Sequence, residues 1–138
     1  MRYLGLDLGS RTLGIAVSDK QGVIASNYKT IRHNEDYEKL LDEVVKLVDE
    51  LDIEAIVLGF PKNMNNTIGP KGELSLEFKE KLEKKVTIPV YLQDERLSTK
   101  AATDMLISGN VSRKKRKKVV DSVAATIILQ TYLDRSDK

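Results

Sequence analysis

Residues 2–18 read RYLGLDLGSRTLGIAVS, and this stretch decides the fold. Apolar side chains recur in both halves of it, which predicts one strand from Arg2 to Leu8 and a second from Thr12 to Ser18. The link between them, Gly9 to Arg11, is short enough for a hairpin. A third strand is predicted from Val23 to Ile31. The chain therefore begins with an antiparallel meander.

The apolar pattern then changes to a spacing of three and four residues. From Tyr37 to Leu51 this spacing predicts a helix of about four turns. We expect Asn34 to cap it, with Glu35 and Asp36 in the first turn, where the helix dipole favours acids. The run from Ala55 to Phe60 is entirely apolar, as expected for a buried parallel strand.

The second half of the chain is predicted to alternate between helices and one more strand. After a polar loop to Pro70, the predicted elements are a helix from Glu73 to Lys85, a strand from Pro89 to Leu92, a helix from Ser98 to Ile107 and a helix from Val119 to Leu133. The order β-β-β-α-β-α-β-α-α predicts an α/β fold, a mixed five-stranded sheet with helices on both faces. With 138 residues, we expect residues 1–138 to form a single domain.

The composition excludes several classes of protein. Hydrophobic residues make up 41% and charged residues 32%, which is typical of a soluble globular chain. Because there is no cysteine, disulfides, thiolate zinc sites and cysteine nucleophiles are excluded. The first strand follows Met1 directly without a leader pattern, and no apolar run approaches the roughly 18 residues that a membrane span needs. We therefore expect a cytoplasmic protein.

The net charge of +2 is divided unevenly along the chain. Residues 113–118 read RKKRKK, and without them the chain has 17 basic and 21 acidic residues. Cations placed before a helix oppose its dipole, so helix stability does not explain the run. Contact with phosphates does explain it, although a basic run can also be a merely solvated segment. The distribution indicates a nucleic-acid partner.

Three acids occupy otherwise apolar or strand-end positions: Asp7 inside the first strand, Glu95 after the last strand and Asp121 in an apolar helical stretch. With the first strand central in the sheet, these three positions can converge. Converging carboxylates repel one another unless a cation binds them, and Mg²⁺ prefers oxygen ligands. Two such ions can activate water against a phosphodiester. Taken singly, each acid has an ordinary alternative as an ion-paired, surface or helix-start residue.

Four segments of the chain together form a set of motifs. They are residues 6–19 (LDLGSRTLGIAVSD), 59–64 (GFPKNM), 94–99 (DERLST) and 121–125 (DSVAA). In this set, and over essentially its whole length, the chain resembles the YqgF/RuvX family of the RNase H-like nuclease superfamily. The resemblance implies an RNase H-like fold and a metal-dependent phosphodiesterase site, with Asp7, Glu95 and Asp121 holding Mg²⁺ or Mn²⁺, two ions in all.

The predicted substrate contacts surround these acids. Arg11 and Arg96 flank them in the sequence and can neutralise a phosphate. Lys62 and Asn63 follow a buried parallel strand, at the strand end where α/β sheets bind ligands. Only 5% of residues are aromatic, so we expect recognition of the backbone and shape rather than base stacking. The basic run supplies the remaining predicted contacts, Arg113, Lys114, Lys115, Arg116, Lys117 and Lys118.

Family members are described as nucleases maturing the 5′ end of pre-16S rRNA and as Holliday junction resolvases. Junction resolvases of the superfamily carry a fourth acid where this chain has Ala124, which favours structured RNA as the substrate. A loop glycine common in the family is replaced by Asn66, a residue that tolerates positive φ. His33, the only histidine, is predicted to be a surface residue without a catalytic role.

Several alternatives stay open at this point. The resolvase activity is the nearest one, and it would require a symmetric dimer; the sequence does not decide between a monomer and a homodimer. The hairpin glycines after Asp7 also resemble the phosphate-binding hairpin of actin-like kinases, which need a second lobe. A non-catalytic module binding RNA or the ribosome is the third alternative, although such a module gains nothing from clustered acids.

Overall fold

The computed structural model describes residues 1–9, 11–61, 68–94 and 113–135, and for residues 113–122 it describes the backbone only. Five strands and three helices occupy this part of the chain. They are β1 (Tyr3–Leu8), β2 (Thr12–Ser18), β3 (Ala25–Arg32), α1 (Tyr37–Glu50), β4 (Ala55–Phe60), α2 (Pro70–Lys85), β5 (Val90–Asp94) and α3 (Arg113–Leu133).

The strands form one mixed sheet in the order β3-β2-β1-β4-β5. The predicted meander is confirmed, because β1 pairs antiparallel with β2 and β2 pairs antiparallel with β3. On its other side β1 pairs in parallel with β4, and β4 pairs in parallel with β5. The first strand is therefore central, which is the condition under which the three predicted acids can converge.

Helices cover both faces of the sheet, which confirms the predicted α/β class. On one face, Leu4 and Leu6 of β1 pack with buried residues of α1 and α2. On the other face, Val57 of β4 packs with Ala125 and Leu129 of α3. Because both faces are covered, all six residues of β4 are buried, and this accounts for its continuous apolar sequence. No helix within the described ranges is long and apolar enough to cross a membrane.

The start of α1 differs from the prediction. Asp36, rather than Asn34, is the N-cap, and its Oδ1 accepts a hydrogen bond from the backbone N–H of Lys39 at 3.2 Å. Glu35 lies outside the helix with a φ of 63°. A residue in this left-handed conformation cannot belong to a right-handed helix. The helix therefore starts at Tyr37, two residues after the position that an Asn34 cap would give.

Other element boundaries also differ. α2 begins at Pro70 instead of Glu73, because proline fits the first helical position, where no N–H partner is required. β3 begins at Ala25 instead of Val23. The last helix begins at Arg113 instead of Val119, so the basic run forms its first turns rather than preceding it. The helix predicted over residues 98–107 lies outside the described residues.

α3 approaches the sheet closely at Gly5 in the central strand. A Cβ atom at Gly5 would lie 2.7 Å from the Cβ of Leu129 and 3.2 Å from the backbone oxygen of Ala125. Ala125 itself is fully buried, as expected for a small residue that lets the helix lie near the strand. Glycine at this position therefore sets the distance between α3 and β1.

The mutation Gly5→Ala tests this packing. We expect it to lower the free energy of unfolding by about 1–3 kcal/mol, because α3 must shift away from β1 to admit the methyl group. Chemical denaturation measures the loss. Ser26→Thr also adds one methyl group, at an exposed position of β3, and should leave stability nearly unchanged. Equal stability of the two variants would contradict the close approach.

The turn between β2 and β3 depends on one ionised acid. Asp19 Oδ1 accepts hydrogen bonds from the backbone N–H groups of Val23 at 2.8 Å and Ile24 at 3.0 Å. The bond from Ile24, and then that from Val23, lowers the pKa of Asp19 below its ordinary value of 3.8. The carboxylate therefore stabilises the fold above pH 3.8, and this contribution is lost as the pH falls through the lower folded-state pKa.

We accordingly expect Asp19→Asn to be less stable than the wild type at neutral pH. The difference between their free energies of unfolding should shrink as the pH falls below 3.8, since the wild-type carboxylate then becomes neutral as well. Urea denaturation at a series of pH values measures this difference. A difference that stays constant from neutral pH to strong acid would show that the charge of Asp19 is not involved.

Candidate functional site

The strand ends that the predicted site requires lie at one edge of the sheet. Strands β1, β3, β4 and β5 run in the same direction, opposite to β2. Their carboxyl ends therefore share one edge of the sheet. Asp7 lies at this edge in the central strand. Phe60 ends β4 there, and Asp94, which ends β5, is paired with Phe60 in the sheet register. Carboxyl ends of parallel strands are where α/β proteins place ligand sites.

Asp7 lies on the face of the sheet that α3 covers. Tyr3 and Gly5, on the same side of β1 by strand alternation, both contact this helix. The ring of Tyr3 lies 5.8 Å from the ring of Tyr132, and Gly5 meets Leu129. Asp7 is the next residue in that row and is half-buried. The central carboxylate thus belongs to the layer between the sheet and α3.

The other predicted site residues are described to different extents. Arg11 is exposed on the β1–β2 hairpin. Asp121 and the basic run lie in α3, in the part of the helix for which only the backbone is described. Lys62, Asn63, Glu95 and Arg96 lie outside the described residues, as does Asn66.

No metal-binding group of three or more acids and histidines occurs among the described side chains. The side chains of Glu95 and Asp121 are not among those searched. The predicted trio is therefore a proposal, taken up below.

Ala124, the residue in place of a fourth acid, is 2% exposed. It lies on α3 one turn after Asp121 in the helix. A carboxylate is costly at a buried position unless a cation or a hydrogen-bond donor compensates it. In this chain the position holds a buried methyl group instead.

Gln130 anchors the carboxyl-terminal half of α3 to the β2–β3 turn. Its Oε1 accepts a hydrogen bond from the backbone N–H of Ala25 at 2.8 Å, and its Nε2 donates to the carbonyl of Val23 at 3.0 Å. The same Nε2 donates to Oδ1 of Asp134 at 3.0 Å. The side chain therefore bonds to the turn as a neighbouring strand would. A single glutamine in an apolar helix provides no sequence signal for this role.

His33 is buried, so the prediction of a surface residue is wrong. It is 6% exposed, and its Nε2 lies 3.1 Å from the carbonyl oxygen of Gly9 in the β1–β2 hairpin. The sequence separates His33 from Gly9 by 24 residues, but the meander returns β3 alongside β2 and brings its end to the hairpin. Register at the end of β3, rather than any local motif, is the signal that identifies this contact.

The hairpin itself is tightly closed beside Asp7. The backbone N–H of Gly9 donates to the carbonyl of Thr12 at 2.8 Å. A Cβ atom at Gly9 would lie 3.1 Å from Oγ1 of Thr12. The missing side chain therefore allows the turn to stay compact at the edge of the sheet.

Comparison with known proteins identifies related chains over nearly the whole length. A family model described as "RuvX: Holliday junction resolvase" matches residues 1–135. A protein of Bacillus licheniformis is 56% identical over 137 residues, covering 97% of both chains. A protein of Bacillus subtilis is 54% identical, covering 97% of this chain and 98% of its own. Both carry the name "Putative pre-16S rRNA nuclease".

Solved structures share the fold at much lower identity. RuvC of Thermus thermophilus is similar with a TM-score of 0.57 and 15% identity, over 96% of this chain and 94% of its own. The same protein in complex with a Holliday junction substrate is similar with a TM-score of 0.58 and 15% identity. That match covers 93% of this chain and 91% of the other. These similarities establish the RNase H-like fold.

Proposed function

The chain belongs to the RuvX family, and we propose that it is a metal-dependent nuclease that processes the 5′ end of pre-16S rRNA. Relatives at more than half identity carry a name with this substrate. Because the family model matches residues 1–135, the alternative that the chain is a fragment of an actin-like kinase has less support than the nuclease. The observation that carries the proposal is the half-buried Asp7 at the centre of the sheet, on the face that α3 covers.

The register between β1 and α3 supports a role for Asp121. From Tyr3 to Gly5 the contacts on α3 move back from Tyr132 to Leu129 and Ala125. A further two-residue step along a strand is about 6.6 Å, or roughly four to five helical residues at about 1.5 Å each. The same step along β1 leads from Gly5 to Asp7. On α3 it leads from Ala125 back to the turn that begins with Asp121, so this turn is expected to lie beside Asp7.

Glu95 is the third proposed ligand. It is covalently joined to Asp94, which ends β5 at the same sheet edge, two strands away from β1. Three carboxylates from these positions form an all-oxygen donor set, which fits Mg²⁺ or Mn²⁺. When bound, two such ions supply an activated water and stabilise charge on the reacting phosphate. The role of Asp7, Glu95 and Asp121 is to hold them in place.

The cations of the chain have a separate role in this proposal. Arg11, on the hairpin that follows Asp7, and Arg96, next to Glu95, would neutralise phosphate oxygens beside the acids. Lys62 and Asn63 would contact phosphate or sugar after β4. The basic run would bind the RNA backbone from the amino-terminal turns of α3. Cations at that end of a helix oppose its dipole, so their presence needs a reason other than helix stability.

A four-way DNA junction is the second candidate substrate. The family description names Holliday junction resolvase, and the RuvC fold is shared. The buried Ala124 in place of a fourth acid favours RNA. Paired cuts in a junction would require a homodimer, whereas cleavage of RNA is compatible with either a monomer or a homodimer. A cytoplasmic location follows from a ribosomal RNA precursor as substrate.

The mutation Asp7→Asn tests the metal-dependent chemistry. We expect it to reduce cleavage of precursor 16S rRNA at least about 100-fold in Mg²⁺, because an amide is a poor replacement for a metal-binding carboxylate. Asp19→Asn makes the same chemical change at the opposite end of the sheet and should retain activity. RNA binding by Asp7→Asn, measured by gel shift, should persist.

Full activity of Asp7→Asn would overturn the nuclease mechanism. If the Asp7→Asn protein instead restores growth and rRNA processing fully in cells, the non-catalytic binding module becomes the better description. Faster cleavage of a synthetic four-way junction than of precursor rRNA by the wild type would assign the chain to the second substrate.

Salt dependence tests the basic run. Replacing Lys114, Lys115 and Lys117 with glutamine removes three of its charges. If each contacts a phosphate, the slope of log affinity against log salt concentration should fall by about 2–3. Cleavage at saturating RNA should change little, since the proposed metal ligands are intact.

A matched control removes the same charge from the other face of the sheet. Lys46 of α1 and Lys84 and Lys85 of α2 are surface residues. Replacing these three with glutamine should leave the slope unchanged. An equal decrease in both triple variants would show that net charge alone, rather than the basic run, binds the RNA.

A further inference from the structure

We propose that His33 is a positioning residue for the nuclease site, holding the β1–β2 hairpin in place through a single ring tautomer. This inference rests on the proposed function, because the hairpin follows Asp7 and carries Arg11. The sequence alone predicts a surface residue without a catalytic role at this position. The structure instead places its ring between Gly9 of the hairpin and the residues that lead into α1.

The two ring nitrogens have partners whose hydrogen-bonding roles are fixed. The backbone N–H of Glu35 points at Nδ1 at 3.2 Å, and a backbone N–H can only donate. Nδ1 must therefore be unprotonated and accept. In the neutral ring the proton then resides on Nε2, which donates to the carbonyl oxygen of Gly9 at 3.1 Å. Both contacts require the same tautomer.

The surroundings of the ring restrict its movement. His33 is buried, and its ring lies 5.2 Å from the ring of Tyr37 at the start of α1, tilted by 52°. Glu35, which donates to Nδ1, has a φ of 63°, a conformation that non-glycine residues rarely adopt. The bond to Nδ1 helps to hold this left-handed residue. The imidazole thus connects the turn before α1 to the hairpin.

The hairpin is held by His33 at two points. The backbone N–H of His33 donates to the carbonyl of Arg11 at 2.9 Å, and the ring donates to Gly9. The first bond belongs to the backbone and survives any substitution except proline. The second depends on the side chain alone. Removing the second bond should let Gly9 and Arg11 shift relative to Asp7, and small misplacements of reacting groups reduce catalysis strongly.

Two substitutions separate the ring's two bonds. In His33→Gln the terminal amide reaches the position of Nε2 and can still donate to Gly9. In His33→Asn the shorter amide reaches the position of Nδ1 and can accept only from Glu35. Both variants lose the ring contact with Tyr37, so each is the control for the other. A purely structural role would make them alike in activity.

We expect His33→Asn to lower kcat for precursor rRNA about five- to tenfold with little change in KM, because a hydrogen bond that positions the site is lost. His33→Gln should stay within about twofold of the wild type. Equal activity of the two variants, with an active wild type, would overturn the positioning role alone. No cleavage by the wild type would overturn the proposed function and the positioning role with it.

A second measurement on the wild-type protein needs no variant. Because His33 is the only histidine, its ring nitrogens can be assigned without ambiguity by ¹⁵N nuclear magnetic resonance. At a pH where the ring is neutral, we expect one protonated nitrogen, Nε2, and an unprotonated Nδ1. An averaged signal from both tautomers, or a proton on Nδ1, would contradict the bond to Gly9.

Discussion

The close approach of α3 to the central strand is the constraint on which the rest of the structure depends. At Gly5 the helix lies so near β1 that a single methyl group has no room. This contact fixes the layer in which Asp7 lies and determines which turn of α3 comes level with it. Gln130 holds the same helix at the far end of the sheet. The position of α3 therefore follows from packing at its carboxyl-terminal half.

Much of the fold could be predicted because its main features are periodic. The apolar residues of the first two strands, the continuous apolar run of β4 and the helical spacing of α1 correspond to simple burial patterns, and the structure confirms all four elements. Periodicity does not place β1 at the centre of the sheet, and the sequence supplies that position only as the condition under which Asp7, Glu95 and Asp121 can converge. A carboxylate inside an apolar strand, Asp7, requires partners from neighbouring elements.

The features that could not be predicted depend on single backbone conformations or on contacts distant in sequence. Glu35 adopts a left-handed conformation that no composition rule indicates, and it moves the helix cap from Asn34 to Asp36. His33 is buried because the register of the meander brings it to Gly9. The basic run continues α3 because helix formation tolerates lysine and arginine well, even where the dipole opposes them.

The central claim is that Asp7, Glu95 and Asp121 share divalent metal ions. The most direct test is anomalous diffraction from crystals grown with Mn²⁺ and an uncleavable RNA. The account predicts manganese density bound by all three carboxylates, as two peaks about 3.5–4 Å apart. The account would be contradicted if no manganese were bound at these residues, or if their carboxylates were more than about 10 Å apart. Carboxylates that far apart cannot bind the same pair of ions, which lie about 3.5–4 Å from each other.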